Sequence, residues 1–238
     1  MRLASERRDL RLLAAVSAAA ALALVALLAF ATRGQAAETV YWDNYRGDPD
    51  SIGFAAIDGS GGGALNLTGV DLQDPEGMAY DSVTGRIFVA ASEGGPAGKG
   101  QIVWVNADGS GAGALNTEAA PVEKPMGIVV DPQTRIVYWT NTEAPGEADG
   151  SIGWARLDGT GGGQLNTTGA LVDGPYKIGL DPVGGRVFWA NGEGTPEHIG
   201  FANVNGTGGG NLDLTGATPP DDITGFAVDP AAGRIYWV

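Results

Sequence analysis

The side chains that could do chemistry in this 238-residue chain are few, and most are carboxylates. There is no cysteine, so disulfides, thiolate metal sites and thiol nucleophiles are absent. His198 is the single histidine, which leaves neither a catalytic triad nor a histidine-rich metal site. It stands where related segments carry Ser51, Gln101 and Ser151, a position that reads as exposed and without a role. The stretch Asp43-Asn-Tyr-Arg-Gly-Asp-Pro-Asp50 groups Asp43, Asp48 and Asp50 in the manner of a calcium loop, but it lacks the full spacing and the terminal Glu of an EF-hand. No cofactor is called for, and calcium is the one ion these three carboxylates would suit. Asp81, Asp131, Asp181 and Asp229 recur at equivalent places and could ring a channel. They are more simply read as acceptors for backbone N–H groups in their own turns. The glycine-rich turns invite a phosphate-loop reading, yet no Gly-Lys-Ser/Thr follows any of them and none leads into a helix.

The elements that must position these residues are set by a repeat. Ser51-Ile-Gly-Phe-Ala-Ala-Ile-Asp-Gly-Ser-Gly-Gly-Gly-Ala-Leu-Asn66 returns in altered form at 101–116, 151–166 and 198–213. Aligned on Asp58, Asp108, Asp158 and Asn205, the copies are 50, 50 and 47 residues apart, the period of propeller blades. One unit, 125–166, divides into four short β segments: 127–131, 135–140, 151–157 and a last one around Gln164 to Asn166. Turn-forming Pro-Gln-Thr and Asp158-Gly159 separate them. In the third segment Ile152 and Trp154 face one side, and Gly153, Ala155 and Leu157 the other. Both sides of such a sheet need cover, so the units must stack face to face. The expected fold is an all-β propeller of four-stranded antiparallel blades, about four of them encoded. The second segment occurs five times, at Val40, Ile87, Val137, Val187 and Ile235, and the others four times each. The frame is therefore expected to be truncated within a blade, with Arg234–Val238 as a sticky edge for strand-mediated self-association.

The first 37 residues differ from the rest. Arg2, Arg7, Arg8 and Arg11 precede an apolar run from Leu12 to Ala31, and small residues follow. That is the layout of a signal peptide, or of an N-terminal membrane anchor if it is not cleaved. Residues 1–37 are read as this segment and 38–238 as the repeats. The body then carries 9 Lys and Arg against 26 Asp and Glu. Such a surface repels phosphate backbones, so nucleic acid is no partner, and the membrane is met only through the N-terminal segment.

At Tyr138-Trp-Thr-Asn141, Ile152–Gly161, Pro75-Glu-Gly-Met-Ala-Tyr-Asp81 and Gly185-Arg-Val-Phe-Trp189 the chain resembles the YWTD β-propeller repeats of the low-density lipoprotein receptor family, in a glycine-rich bacterial secreted form. The resemblance covers 39–238 and implies a six-bladed propeller. Asn44, Asn141 and Asn191 stand at the last position of the motif, and Lys177 stands where the other first strands carry Gly77, Gly127 and Gly225. The turns joining first to second and third to fourth strands are nearly identical in every copy, whereas the loops of the opposite rim vary. A binding surface is expected there, on Asp43, Tyr45, Arg46, Asp48, Asp50, Glu93, Lys99, Glu143, Glu147, Asp149, Glu193 and Glu197. The expected function is a non-catalytic module, secreted or held outside the cytoplasmic membrane, that binds an extracellular protein or glycan. The alternatives are a metal-dependent propeller hydrolase or lyase, and a structural repeat region of a longer surface protein.

Overall fold

The computed structural model describes the backbone of 26–28 and residues 38–238 except 46, 48, 144–149, 193–196, 219, 221 and 222. The expected leader lies outside the described residues apart from the backbone of Ala26–Leu28. Among the described residues no helix is long and apolar enough to cross a membrane.

The strands form sheets in chain order. The first sheet contains β1 (Ala26–Leu28), β2 (Thr39–Asn44), β3 (Ser51–Ala56) and β4 (Gly62–Ala64). The second has β5 (Gln73–Asp81), β6 (Arg86–Glu93), β7 (Gln101–Asn106) and β8 (Ala112–Ala114). The third has β9 (Pro125–Asp131), β10 (Ile136–Asn141), β11 (Ser151–Arg156) and β12 (Gly162–Gln164). The fourth has β13 (Pro175–Asp181), β14 (Arg186–Asn191), β15 (Ile199–Asn203) and β16 (Gly209–Asn211), and β17 (Phe226–Asp229) pairs with β18 (Arg234–Trp237). Every pairing is antiparallel between chain neighbours, and β2, β5, β9, β13 and β17 pack in succession. These are the blades of a β-propeller. The backbone of β1 fills the first-strand place of the first sheet, for which the repeat supplies no segment.

The two faces of each sheet belong to different cores, as the alternation of the third strand requires. Ile152 packs with Ile178, Val187 and Trp189 of the fourth blade. Its neighbours Ala155 and Leu157 turn to Phe88 and Ile102 of the second. Blades are thus joined by apolar layers, the non-directional term that stabilises a stack of otherwise amphipathic sheets.

Within a blade the fit is set by one cross-strand pair. Trp42 lies opposite Gly53, Trp139 opposite Gly153 and Trp189 opposite Gly200. A Cβ at Gly153 would come within 2.6 Å of the Trp139 indole Nε1, so the ring lies flat on the glycine. In the second blade Val89 replaces the tryptophan, and its partner is Val103. A large-plus-nothing pair has become a medium-plus-medium pair filling the same space.

The expected fourth segment, around 164–166, begins two residues earlier. The Asp158 carboxylate accepts from the Thr160 N–H (3.0 Å), and Arg156 N–H bonds Gly161 O (2.8 Å), closing the turn early. Asn166 is left to cap the next turn by accepting from Thr168 N–H. Asn66 does the same in the first blade, and Asn205 closes its own turn as Asp158 does.

Candidate functional site

Three of the innermost strands, β5, β9 and β13, carry one extra residue where they meet the second strand. The register slips between Pro75 and Gly77, between Trp139 and Asn141 opposite β9, and between Pro175 and Lys177. These β-bulges re-aim side chains. They also touch from blade to blade: a Cβ on Gly77 would sit 2.6 Å from Met126 O, and one on Gly127 would sit 2.8 Å from Tyr176 O. The residues Glu76-Gly77, Met126-Gly127 and Tyr176-Lys177 therefore form one level around the propeller axis.

The fifth residue of each second strand lies at this level. It is Asp43, Ala90, Thr140 and Ala190 in the four blades, and all four are buried. Thr140 shows what the position meets: its hydroxyl accepts from Gly127 N–H (2.8 Å) in its own bulge and donates to Tyr176 O (3.5 Å) in the next. By the same register Asp43 stands beside the Glu76 bulge. It is 4% exposed, and its buried Oδ1 accepts no hydrogen bond from any described residue.

Burial pushes the Asp43 carboxyl up to about 6, while its own backbone N–H and the charge of Lys177 pull weakly the other way. Lys177 is held below the ordinary lysine value by burial, against the upward pull of Glu76 and Asp43. Three blades thus bring Asp43, Glu76 and Lys177 into one electrostatic group. The Lys177 ammonium lies 5.8 Å from the Tyr176 ring centroid. The Tyr176 hydroxyl donates to Glu197 Oε2 (3.2 Å), which also accepts from Ile223 N–H (3.1 Å). A carboxyl raised by burial within the field of a half-buried amine has the character of a general acid–base group.

Of the expected rim, Asp43 is inside and at this level. Asp50 accepts from Asp74 N–H (2.7 Å), Glu93 pairs with Lys124, Lys99 pairs with Glu123 (2.6 Å), and Glu197 holds Tyr176. Tyr45 is half-buried and Glu143 exposed. Arg46, Asp48, Glu147, Asp149 and Glu193 lie outside the described residues. Among the described residues no three His, Asp or Glu side chains converge as metal ligands. Asp43 and Asp50 each keep one buried oxygen without a partner.

The repeated aspartates act within their turns. Asp131 accepts from Gln133 N–H (2.9 Å) and from the Thr134 hydroxyl (2.8 Å), and Asp229 from Ala232 N–H (3.0 Å). Asp81 also receives the Arg135 guanidinium of the following blade at 2.6 Å. Arg135 occupies φ +61°, where the equivalent residues are Gly85, Gly185 and Gly233. The motif asparagines tie down the crossover loops. Asn191 donates to Leu171 O and His198 O (both 3.2 Å) and accepts from Asp173 N–H (2.8 Å). Asn141 donates to Pro121 O (3.1 Å) and accepts from Glu123 N–H (2.9 Å). A carboxylate there could only accept.

Sequence reasoning singled out Lys177 as a break in the repeat but missed Glu76. The bulge, which makes Glu76 the extra residue, leaves no trace in an alternating pattern.

No protein-family model matches the sequence, and neither does any curated protein sequence. The fold is similar to that of a nidogen structure solved in complex with laminin, at TM-score 0.62 and 22% identity. It is equally similar to a gluconolactonase from Xanthomonas campestris, at TM-score 0.62 and 18% identity. Each comparison covers 84% of this chain and 66% of the other, so the chain spans just under two thirds of either structure. The hydrazine synthase of Kuenenia stuttgartiensis is also similar, at TM-score 0.55 and 13% identity, over 73% of this chain and 46% of that one. At these identities the likeness shows the fold alone. It corrects the expected function: an enzyme shares this propeller as closely as a component of a binding complex does. The reading as a non-catalytic protein- or glycan-binding module therefore does not follow from the fold. The matches include propellers of both kinds.

Proposed function

We propose that the chain is a YWTD-type β-propeller that holds a small polar molecule at the bulge level of its axis and exchanges a proton with it through Asp43, assisted by Glu76 and Lys177. One observation carries this reading. The only ionisable residue at the fifth position of a described second strand followed by a bulged neighbour blade is buried with an unpaired oxygen, and the one first strand that replaces glycine by lysine supplies its counter-charge. The YWTD assignment is supported by the tryptophan–glycine pairs of three blades. Their compensated replacement in the second blade supports it further.

Carbon-detected NMR titration of the Asp43 carboxyl tests the site, with D-glucono-1,5-lactone as the first probe because the gluconolactonase shares the fold. The expected result is a midpoint near 6 that the probe displaces in the wild type and fails to displace in Lys177→Met. A midpoint in the ordinary carboxylate range, or one the probe leaves unmoved, would overturn the proposal.

A further inference from the structure

The aspartate that closes each first strand meets different partners from one blade junction to the next. Between the second and third blades both oxygens of Asp81 are engaged. Its Oδ1 accepts from Val83 N–H and from the Arg135 guanidinium of the following blade, and its Oδ2 accepts from the Thr84 hydroxyl. Asp131 faces Gly185 in place of that arginine, but Gln133 and Thr134 of its own turn engage both its oxygens. Where the fourth blade meets β17 and β18, Asp181 has neither arrangement. Gly184 stands where Thr84 and Thr134 supply a hydroxyl, and Gly233 stands in place of Arg135. Asp181 Oδ1 accepts from Gly184 N–H (2.8 Å), and Arg186 Nη2 lies 3.5 Å from Oδ2, too far for a good hydrogen bond. The Asp181 side chain is 14% exposed, whereas that of Asp81 is wholly buried.

A cavity of about 140 Å³ is left at this junction. Asp181, Arg186 and Asp229 give it polar walls, and Phe188, Leu212 and Val228 give it apolar ones. Gly233 lines it too, and a Cβ there would meet no atom within 4 Å. The φ of Gly233, +63°, matches the +61° of Arg135, so the chain path is the same and the side chain alone is missing. A second group is also short of a partner. Arg186 Nε is buried and donates to no described residue. Its counterpart Arg86 donates Nε to Asn106 Oδ1 (3.3 Å), and Asn203 lies opposite Arg186 as Asn106 lies opposite Arg86.

From this arrangement we infer that the cavity binds a small alkylguanidinium molecule, whose guanidinium takes at Asp181 the place that the Arg135 guanidinium takes at Asp81. The alkyl stem lies along Phe188, Leu212 and Val228. Arg186 gives up its long contact and donates Nε to Asn203, as Arg86 does to Asn106. A planar fork of N–H donors suits a carboxylate better than a compact ammonium does. The chain's net charge of −14 favours a cation over an anion, although Arg186 and the exposed Arg234 stand at the same cavity. Since a cavity of about 150 Å³ holds a molecule the size of benzene, this one has room for such a stem but not for a peptide around it.

Amide-detected NMR tests this with n-propylguanidinium, the arginine side chain severed at its Cα–Cβ bond, and with n-propylurea, its uncharged isostere. The guanidinium should shift the Gly184 and Gly233 amides and the Arg186 Nε–H saturably, with half-saturation in the millimolar range expected of so small a ligand. The urea should leave them unmoved, and Asp181→Asn should weaken the guanidinium response by about tenfold or more. Gly233→Arg supplies the group from within the chain. Without ligand its Gly184 amide should already stand where saturating n-propylguanidinium brings it in the wild type, and added ligand should move it no further. N-acetylargininamide, with an amide on each side of the same stem, should bind more weakly than n-propylguanidinium. Equal or tighter binding would make the site one for an arginine of a partner protein and overturn the assignment to a free small molecule. Equal responses to the urea and the guanidinium, a response that rises without saturating, or undiminished binding in Gly233→Arg would each overturn the inference.

Discussion

Replacing Asp43 by Asn should stabilise this protein, and the gain should depend on pH in a defined way. A carboxyl whose folded pKa lies above its unfolded value binds its proton more tightly in the fold. Stability therefore falls as pH rises from about 4 to about 6 and stays reduced above that. Burial moves Asp43 from 3.8 to about 6. A shift of roughly two units corresponds to about 3 kcal/mol at 1.36 kcal/mol per unit. The neutral amide carries no such penalty. Urea unfolding of wild type and Asp43→Asn at pH 4 and pH 8 should show near-equal midpoints at the lower pH. At the higher pH the variant should be more stable by about 2–3 kcal/mol. Other carboxylates titrate alike in both proteins and cancel in the comparison. A difference that is flat across pH, or a variant less stable at pH 8, would refute both the burial argument and the placement of Asp43 at the bulge level. The variant should lose proton exchange while gaining stability, as expected when a costly group is kept for function.

Gly153→Val should destabilise by about 1–3 kcal/mol, because its side chain enters the Trp139 ring. Adding Trp139→Val recreates the Val89–Val103 pair, so the double variant should lose less than the sum of the single losses in a thermal-melting cycle. Asn191→Asp should cost about 2–4 kcal/mol, since a carboxylate oxygen would face Leu171 O and His198 O; a neutral result in the same assay would remove the latch from the account. Arg135→Gly relieves a left-handed backbone but strips the buried Asp81 of its inter-blade partner. Burial alone would raise the Asp81 carboxyl, yet the Arg135, Thr84 and Val83 hydrogen bonds hold it below the usual range. That stability is present above pH 4 and lost as pH falls through the lowered value, so the net loss of about 1–2 kcal/mol should vanish in acid.

The blades were legible because large and small residues alternate over three of the third strands, because Asp-Gly or Asn-Gly turns punctuate every copy, and because Asp-Pro opens three of the four other turns. Asp43 was read as a loop residue, since the acidic run to Asp50 masks the strand that continues through Asn44. Glu76 was invisible for a different reason. Its role depends on a bulge, which is a matter of pairing between strands and leaves both strands with ordinary sequences. The link from Lys177 to the first two blades is set by curvature about the axis, which no sequence period encodes. The asparagines at the motif's last position looked like losses of an aspartate, and the paired donor and acceptor duties of Asn141 and Asn191 explain them.

Those asparagines also give the molecule a direction in time. The crossover loops that leave the second and third blades are each fastened by an amide belonging to the next, with Pro121 and Glu123 held by Asn141, and Leu171 and Asp173 held by Asn191. While the chain is being synthesised, a completed blade keeps its trailing loop untied until the following second strand has emerged and paired. The third and fourth blades thereby each secure the one before, and over that part of the chain assembly is expected to proceed toward the C-terminus as a pair of closures.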